Sequence, residues 1–381
     1  MNRTDYWQWL KTDAELAEAC PLWQQSAAIM VDTEFMRTDS YFAHLGLIQI
    51  GLQDRVWLID PLDIKDWQPL IKVLEDEQVI KVLHSLSEDA EVLSSALGAQ
   101  LKGLFDTQIA AALLGMDQQM GFARLVESEL GVSLPKEVTR SNWLQRPLSE
   151  EQCRYAADDV YYLNQIFIGL ATRLHAQQRF DWVVEDSNRV ARDSQPSDPK
   201  RYYLKLRGAW KLKGERLYCL QQLAAWREEQ ACSANLNRSR VLSDAEIIQV
   251  AQTMPANLSA LKGLKDLHPR KVRLYGDAIL SIVASAQESS RDLWPERVPG
   301  PLPVDQAELY KQVKARVMAV ADCHGVPAEF LARRKQLEQL VRSGCYSGEY
   351  EIPEALTGWR RPLLAEPLMQ LLLEHPNDQD Q

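Results

Sequence analysis

The chain has no Cys-x-x-Cys pair; its six cysteines, Cys20, Cys153, Cys219, Cys232, Cys323 and Cys345, are scattered. That spacing argues against a zinc site and a disulfide framework, and it reads as reduced, structural thiols. Nothing in the sequence approaches the ~18 consecutive apolar residues of a membrane span, and the opening MNRTDYWQWLKTDAEL carries no apolar core of signal-peptide length. A cytoplasmic protein with no membrane partner is expected. No heptad run demands self-association, so a monomer is expected too. Low-complexity tracts are absent, and with 46% hydrophobic and 25% charged residues the chain has the composition of a folded globular protein.

Excess positive charge is also missing. The formal net charge is −10 and the pI is near 5.3, which disfavours phosphate-bearing partners unless local patches carry the contact. The deficit is uneven: residues 1–200 hold 18 Lys+Arg against 31 Asp+Glu, and residues 201–381 hold 25 against 22. The two halves therefore do different work.

At 381 residues the chain exceeds one ordinary core. AAIMVD reads as a buried strand, and LGLIQIG and VWLID read as two strands joined by the turn LQDR. A helix around DWQPLIKVLEDE, the apolar run VIKVLH and a helix SEDAEVLSSAL closed by Gly98 follow. LFD is a further short strand, and the helices TQIAAALLG and GFARLVESEL end at Gly115 and Gly131. Three strands in a meander, then strand, helix and strand, predict an α/β fold with a mixed sheet flanked by helices, of ribonuclease H-like architecture. A long helix opens with the capping box S-E-E-Q at Ser149 and buries a stripe of Ala156, Val160, Leu163, Ile166 and Leu170.

The polar, proline-containing stretch SQPSDPK at 194–200 marks a linker, and LWPERVPGPLPV at 293–304 marks another. Beyond the first the chain reads as helical throughout, giving three expected domains: 1–199, then helical bundles at 207–290 and 305–376. ANLSALKGLKDL and IPEALTGWRRPL share Ala-Leu-x-Gly after similar helices, which predicts a divergent internal duplication.

The stretch VDTEF puts Asp32 and Glu34 two residues apart on a strand, hence on one face of the sheet. Two such carboxylates repel each other unless a cation compensates, and hard cations such as Mg²⁺ and Mn²⁺ choose oxygen ligands. HSLSEDAEV offers a third acid where Ser85 or Ser87 could cap a helix, leaving Asp89 in its first turn with Glu88 and Glu91 as competitors. In RYAADDV, Tyr155 and Asp159 are four apart and share a helix face, whereas Asp158 is rotated away by about 100°.

VDTEF, the H-x4-D of HSLSED, and YAADDV preceded by SNWLQRPLSEEQ together resemble the DEDD superfamily of exonucleases in its tyrosine-bearing branch, and the ribonuclease D family closely. The two helical segments resemble tandem HRDC (helicase and RNase D C-terminal) domains. The resemblance implies a metal-dependent 3′-to-5′ exoribonuclease that releases nucleoside 5′-monophosphates and trims structured RNA such as tRNA precursors. It implies a site of Asp32, Glu34, Asp89, Tyr155 and Asp159. Two divalent ions, Mg²⁺ or Mn²⁺, are expected there. Asp32 is assigned as bridge, Glu34 and Asp159 to the nucleophile-side ion, Asp89 to the second ion and Tyr155 to the attacking water. Competing readings are a DNA exonuclease with the same carboxylates and a non-catalytic RNA-binding scaffold, which the complete set of five groups disfavours. Arg37, Arg124, Arg140 and Arg146 are candidate phosphate contacts, and the basic runs KDLHPRKVR, KQVKAR and ARRK could guide the RNA body.

Overall fold

The computed structural model describes residues 6–134, 141–196, 198–345 and 347–374. In chain order the first part runs β1 (Trp7–Leu10), α1 (Asp13–Gln24), β2 (Ala28–Met36), β3 (His44–Leu52), β4 (Arg55–Ile59), α2 (Gln68–Glu75) and β5 (Ile80–Leu83). It continues with α3 (Ser87–Leu97), β6 (Leu104–Asp106), α4 (Thr107–Leu113), α5 (Phe122–Leu130), α6 (Glu150–Ala176) and α7 (Phe180–Ser194).

The sheet order is β1-β4-β3-β2-β5-β6, with β2, β3 and β4 antiparallel and the β1–β4, β2–β5 and β5–β6 pairs parallel. This is the mixed sheet the meander predicts, with one strand and one helix more at its start. WQWL is too short to read as a strand, because its partner β4 lies far along the chain. The helix α1 does carry a legible signal, the capping box of Thr12 and Glu15.

Alternation along the strands sorts the core onto two faces. Ile29, Val31, Ile48 and Ile50 pack under α1, α2 and α3. Met30, Leu47, Leu58 and Val82 pack under α4, α5, α6 and α7. β2 and β3 slip register between Glu34 and Phe35, and Gly46 occupies the slip on β3. A Cβ on Gly46 would lie 2.7 Å from the Trp143 carbonyl, so only glycine lets the Asn142–Trp143 segment approach the sheet there.

The helical remainder holds two successive series with one plan. The first is α8 (Glu215–Ser233), α9 (Arg238–Val241), α10 (Asp244–Thr253), α11 (Leu258–Lys262) and α12 (Pro269–Gln287). The second is α13 (Ala307–His324), α14 (Ala328–Leu331), α15 (Arg334–Gly344), a 3₁₀ turn at Glu354–Leu356 and α16 (Glu366–Glu374). Each has a long helix, a one-turn helix, a middle helix, a short turn carrying Ala-Leu-x-Gly and a closing helix. That is the expected duplication.

The chain divides into two compact units. One comprises Met1–Met36, His44–Gln195 and Leu302–Gln381; the other comprises Arg37–Ala43 and Pro196–Pro301. In the first unit Val313, Val317, Leu337, Leu340 and Leu364 join the same core as α6 and α7. Arg360 locks that junction. Its guanidinium donates two parallel bonds to Asp186 of α7, at 2.6 and 2.8 Å, and further bonds to the Leu331 and Phe330 carbonyls, while Trp359 stacks on Trp182 at 4.4 Å. Both partners of the ion pair are only 7% exposed in their side chains. Arg360→Met therefore strands a buried carboxylate and costs about 3 kcal/mol, the low end for a broken buried pair because Arg189 still lies 3.4 Å from Asp186. Denaturant unfolding should show this loss, and adding Asp186→Leu should recover most of it. In the second unit, Tyr41 of the Arg37–Ala43 segment bonds Glu228, and Arg238 lies over its ring.

Candidate active site

Asp32 and Glu34 leave β2 on the α6 face and meet Asp159, which α6 presents from its third turn. One carboxylate oxygen from each of the three lies within 4.8 Å of the others. All three are half-buried. Burial raises their pKa values, and mutual repulsion adds to it. Asp32 is held well above the carboxylate range by desolvation and by Asp89, Asp159 and Glu34. Glu34 is pushed up to about 9 by desolvation, then Asp159 and Asp89. Asp159 reaches about 8 through desolvation and Asp158, with a hydrogen bond from Tyr155 pulling the other way.

Tyr155 stands one turn before Asp159, and its hydroxyl donates to that carboxylate. Desolvation, with the charges of Asp159, Glu34 and Asp32, drives its own pKa far upward, so the phenol keeps its proton. Asp158 points elsewhere and accepts a 2.6 Å bond from the Tyr6 hydroxyl. The doublet is thus divided by helical rotation, as the four-residue spacing predicts.

Asp89 is buried on α3 and accepts a hydrogen bond from Thr33 Oγ1, which leaves β2 on the opposite face from Asp32 and Glu34. Desolvation raises its pKa to about 7 despite that bond. Neither Ser85 nor Ser87 caps α3; the N-cap position is Leu86, which has no side-chain acceptor. The orphan amides of Ser85 and Leu86 instead donate to Asp106 at the end of β6, at 2.9 and 3.0 Å. Asp106 also caps α4 through the Gln108 amide. A single carboxylate therefore fixes the turn that aims Asp89. Sequence reasoning missed it because LFD gives no sign of which distant amides it will serve.

Asp32, Glu34, Asp89, Tyr155 and Asp159 line one cleft of about 910 Å³, together with His84, Phe122, Arg124 and Glu127. Arg124 is exposed beside it and paired with Asp117 at 3.0 Å. Arg146 is spent structurally, donating to both oxygens of Asp60 and to the Gly46 carbonyl. Arg37 is exposed, and Arg140 lies outside the described residues. A second cavity of about 1010 Å³ in the same unit is lined by Tyr310, Lys314, Arg333 and Arg334, and shares Ser85 with the acidic cleft. The runs KQVKAR and ARRK contribute those cations.

A model of the 3′-5′ exonuclease family matches residues 7–175, an HRDC domain model matches 216–283, and a model of the ribonuclease D C-terminal HRDC domain matches 307–368. The chain is 43% identical to ribonuclease D of Pseudomonas paraeruginosa over 366 residues, covering 96% of this chain and 97% of that one. It is 36% identical to ribonuclease D of Escherichia coli over 373 residues, covering 97% and 99%. The crystal structure of the Escherichia coli enzyme, described as an exoribonuclease involved in structured RNA processing, superposes with a TM-score of 0.90 over 97% of this chain and 99% of that one. Membership of such a nuclease family implies divalent metal ions and an RNA substrate. The converging oxygens fit hard cations, because an added positive charge relieves the repulsion that otherwise keeps these acids protonated. Among the described residues, no helix is long and apolar enough to cross a membrane. With both helical series and the exonuclease fold matched over nearly its whole length, the chain belongs to the ribonuclease D family of 3′-5′ exoribonucleases.

Proposed function

We propose that this protein, a cytoplasmic monomer of three domains (1–199, 207–290 and 305–376), trims the 3′ ends of structured RNA such as tRNA precursors. It releases nucleoside 5′-monophosphates. Asp32, Glu34, Asp89 and Asp159 would hold two ions, Mg²⁺ or Mn²⁺. When bound, the ions supply the charge that acidifies water and steadies the leaving 3′-oxygen. The observation that carries this reading is the convergence of Asp32, Glu34 and Asp159 from two elements far apart in sequence.

The chain's own groups divide the remaining work. Thr33 restrains Asp89, so one carboxylate oxygen is already engaged and the other is left for a ligand. Tyr155 is a phenol of reference pKa near 10, a poor base but a good positioner. Its role would be to orient: a phenolic oxygen beside Asp159 could hydrogen-bond a water held by the ions and set its direction of attack. Lys314 and Arg333 support an RNA path leading to the cleft past Ser85.

A time course on 5′-labelled RNA with a 3′ extension tests the proposal. The expected product is a ladder shortening one nucleotide at a time, abolished by chelator and restored by Mg²⁺ or Mn²⁺, with a circular RNA left intact. Internal fragments at the earliest times, or equal cleavage of matched DNA, would count against it. Deleting the C-terminal half is a poor probe of RNA contacts, since residues of α13 and α15 belong to the main core. Lys314→Ala with Arg333→Ala is the better one. If each cation meets one phosphate, the slope of log K against log salt becomes shallower by about 1.4 for single-stranded RNA. An unchanged slope removes both from the RNA path.

A further inference from the structure

One buried polar side chain across the sheet from the acidic cluster has no hydrogen-bond partner among the described residues. Gln49 on β3 is 0% exposed, and neither Nε2 nor Oε1 of its amide has a hydrogen-bond partner among the described residues. Its place in the sheet is specific. The antiparallel register sets it directly opposite Asp32 on one side and Leu58 on the other. Directly opposed residues project from the same face with Cβ atoms about 4.5–5.5 Å apart. Of these two cross-strand neighbours only Asp32 offers an acceptor. Along β3 the same face carries Leu47, which is core, and Gly51, whose missing side chain leaves room for Val160 of α6. The amide is thus set into an apolar layer, where leaving it unbonded costs free energy that a methionine or leucine would not.

We infer that Gln49 is a positioning residue for the proposed metal site: its Nε2 donates to the Asp32 carboxylate that would hold the cation. This rests on the metal-ligand reading of Asp32. Physically, a carboxylate that binds a cation through one oxygen keeps lone pairs to be oriented, and a neighbouring amide donor fixes its rotamer at the angle the site needs. The fold does not draw on the amide, since nothing among the described residues bonds to it. Sequence alternation in LGLIQIG marks Gln49 as the one polar letter in a buried strand, but only the β2–β3 register sets it across from Asp32.

The test is Gln49→Met, which keeps length and volume while removing both hydrogen-bonding groups. Two quantities are read on the full chain: Tm in chelator, and Mn²⁺ affinity by titration calorimetry. The expected result is a Tm in chelator that stays within about 2 °C of the parent or rises, together with Mn²⁺ binding weakened roughly 10- to 100-fold. Gln49→Leu should behave alike. A lower Tm or failure to fold would show that the amide serves the apo fold and would overturn the inference, as would unchanged Mn²⁺ affinity in a stable variant. If the parent protein itself takes up no Mn²⁺, the metal-site reading fails instead, a separate outcome.

Discussion

Asp32→Asn removes hydrolysis, by on the order of 10³-fold or more, while the variant melts higher than the parent in chelator. The first effect follows from losing a proposed metal ligand, at a site where bound ions would supply several kcal/mol of transition-state charge stabilisation. The second follows from the same geometry. Asp32 is surrounded by Asp89, Asp159 and Glu34, so in the absence of a cation its charge is a liability to the fold. An amide of the same shape relieves it. Release of mononucleotides from labelled RNA measures the first effect and a thermal melt the second. Asp159→Asn should match it on both counts. Tyr155→Phe provides the contrast: it removes a hydrogen bond to Asp159 but no ligand, so Mn²⁺ binding persists while turnover falls by ~10²- to 10⁴-fold. Full activity in Asp32→Asn would refute the ligand assignment, and full activity in Tyr155→Phe the water-positioning role.

Removal of metal makes the fold pH-sensitive in an unusual direction. Unfolded carboxylates titrate near 4, whereas in the folded chain Asp89, Asp159 and Glu34 are raised to about 7, 8 and 9. Between those limits the folded state binds more protons than the unfolded state, so stability decreases with pH. It is fully present below pH ~4 and is lost progressively up to about pH 9. A bound cation favours the ionised forms and flattens this decline. Two other groups pull the opposite way: His84, whose pKa is lowered by burial, and Lys81, lowered by burial to about 8. Lys81 is not among the residues lining the cleft, and the effect of His84, lowered from 6.5, is confined to pH below about 7, so above pH 7 neither confounds a comparison with and without metal. The difference in Tm between Mn²⁺ and chelator therefore isolates the acidic cluster, and it should widen steadily from pH 5 to 9. A constant difference would show that these carboxylates are not the groups the metal meets.

Much of this molecule is written locally. Short continuous apolar runs bounded by turns define β2 to β4, αL glycines close α3 and α5, and the Ser149 box opens α6. Spacing alone puts Asp32 beside Glu34 and Tyr155 beside Asp159, because strand and helix periods are properties of a few neighbouring residues. The repeat of Ala-Leu-x-Gly likewise announces two helical series of one plan. Tertiary structure decided the rest. The pairing of β1 with β4, the bracing of the Asp89 turn by Asp106, the bond between Thr33 and Asp89, the Arg360–Asp186 lock and the setting of Gln49 against Asp32 all join segments whose separation carries no local signal. Each depends on register and on which buried donor finds which acceptor, and those are fixed only when the whole chain closes around its two sheet faces.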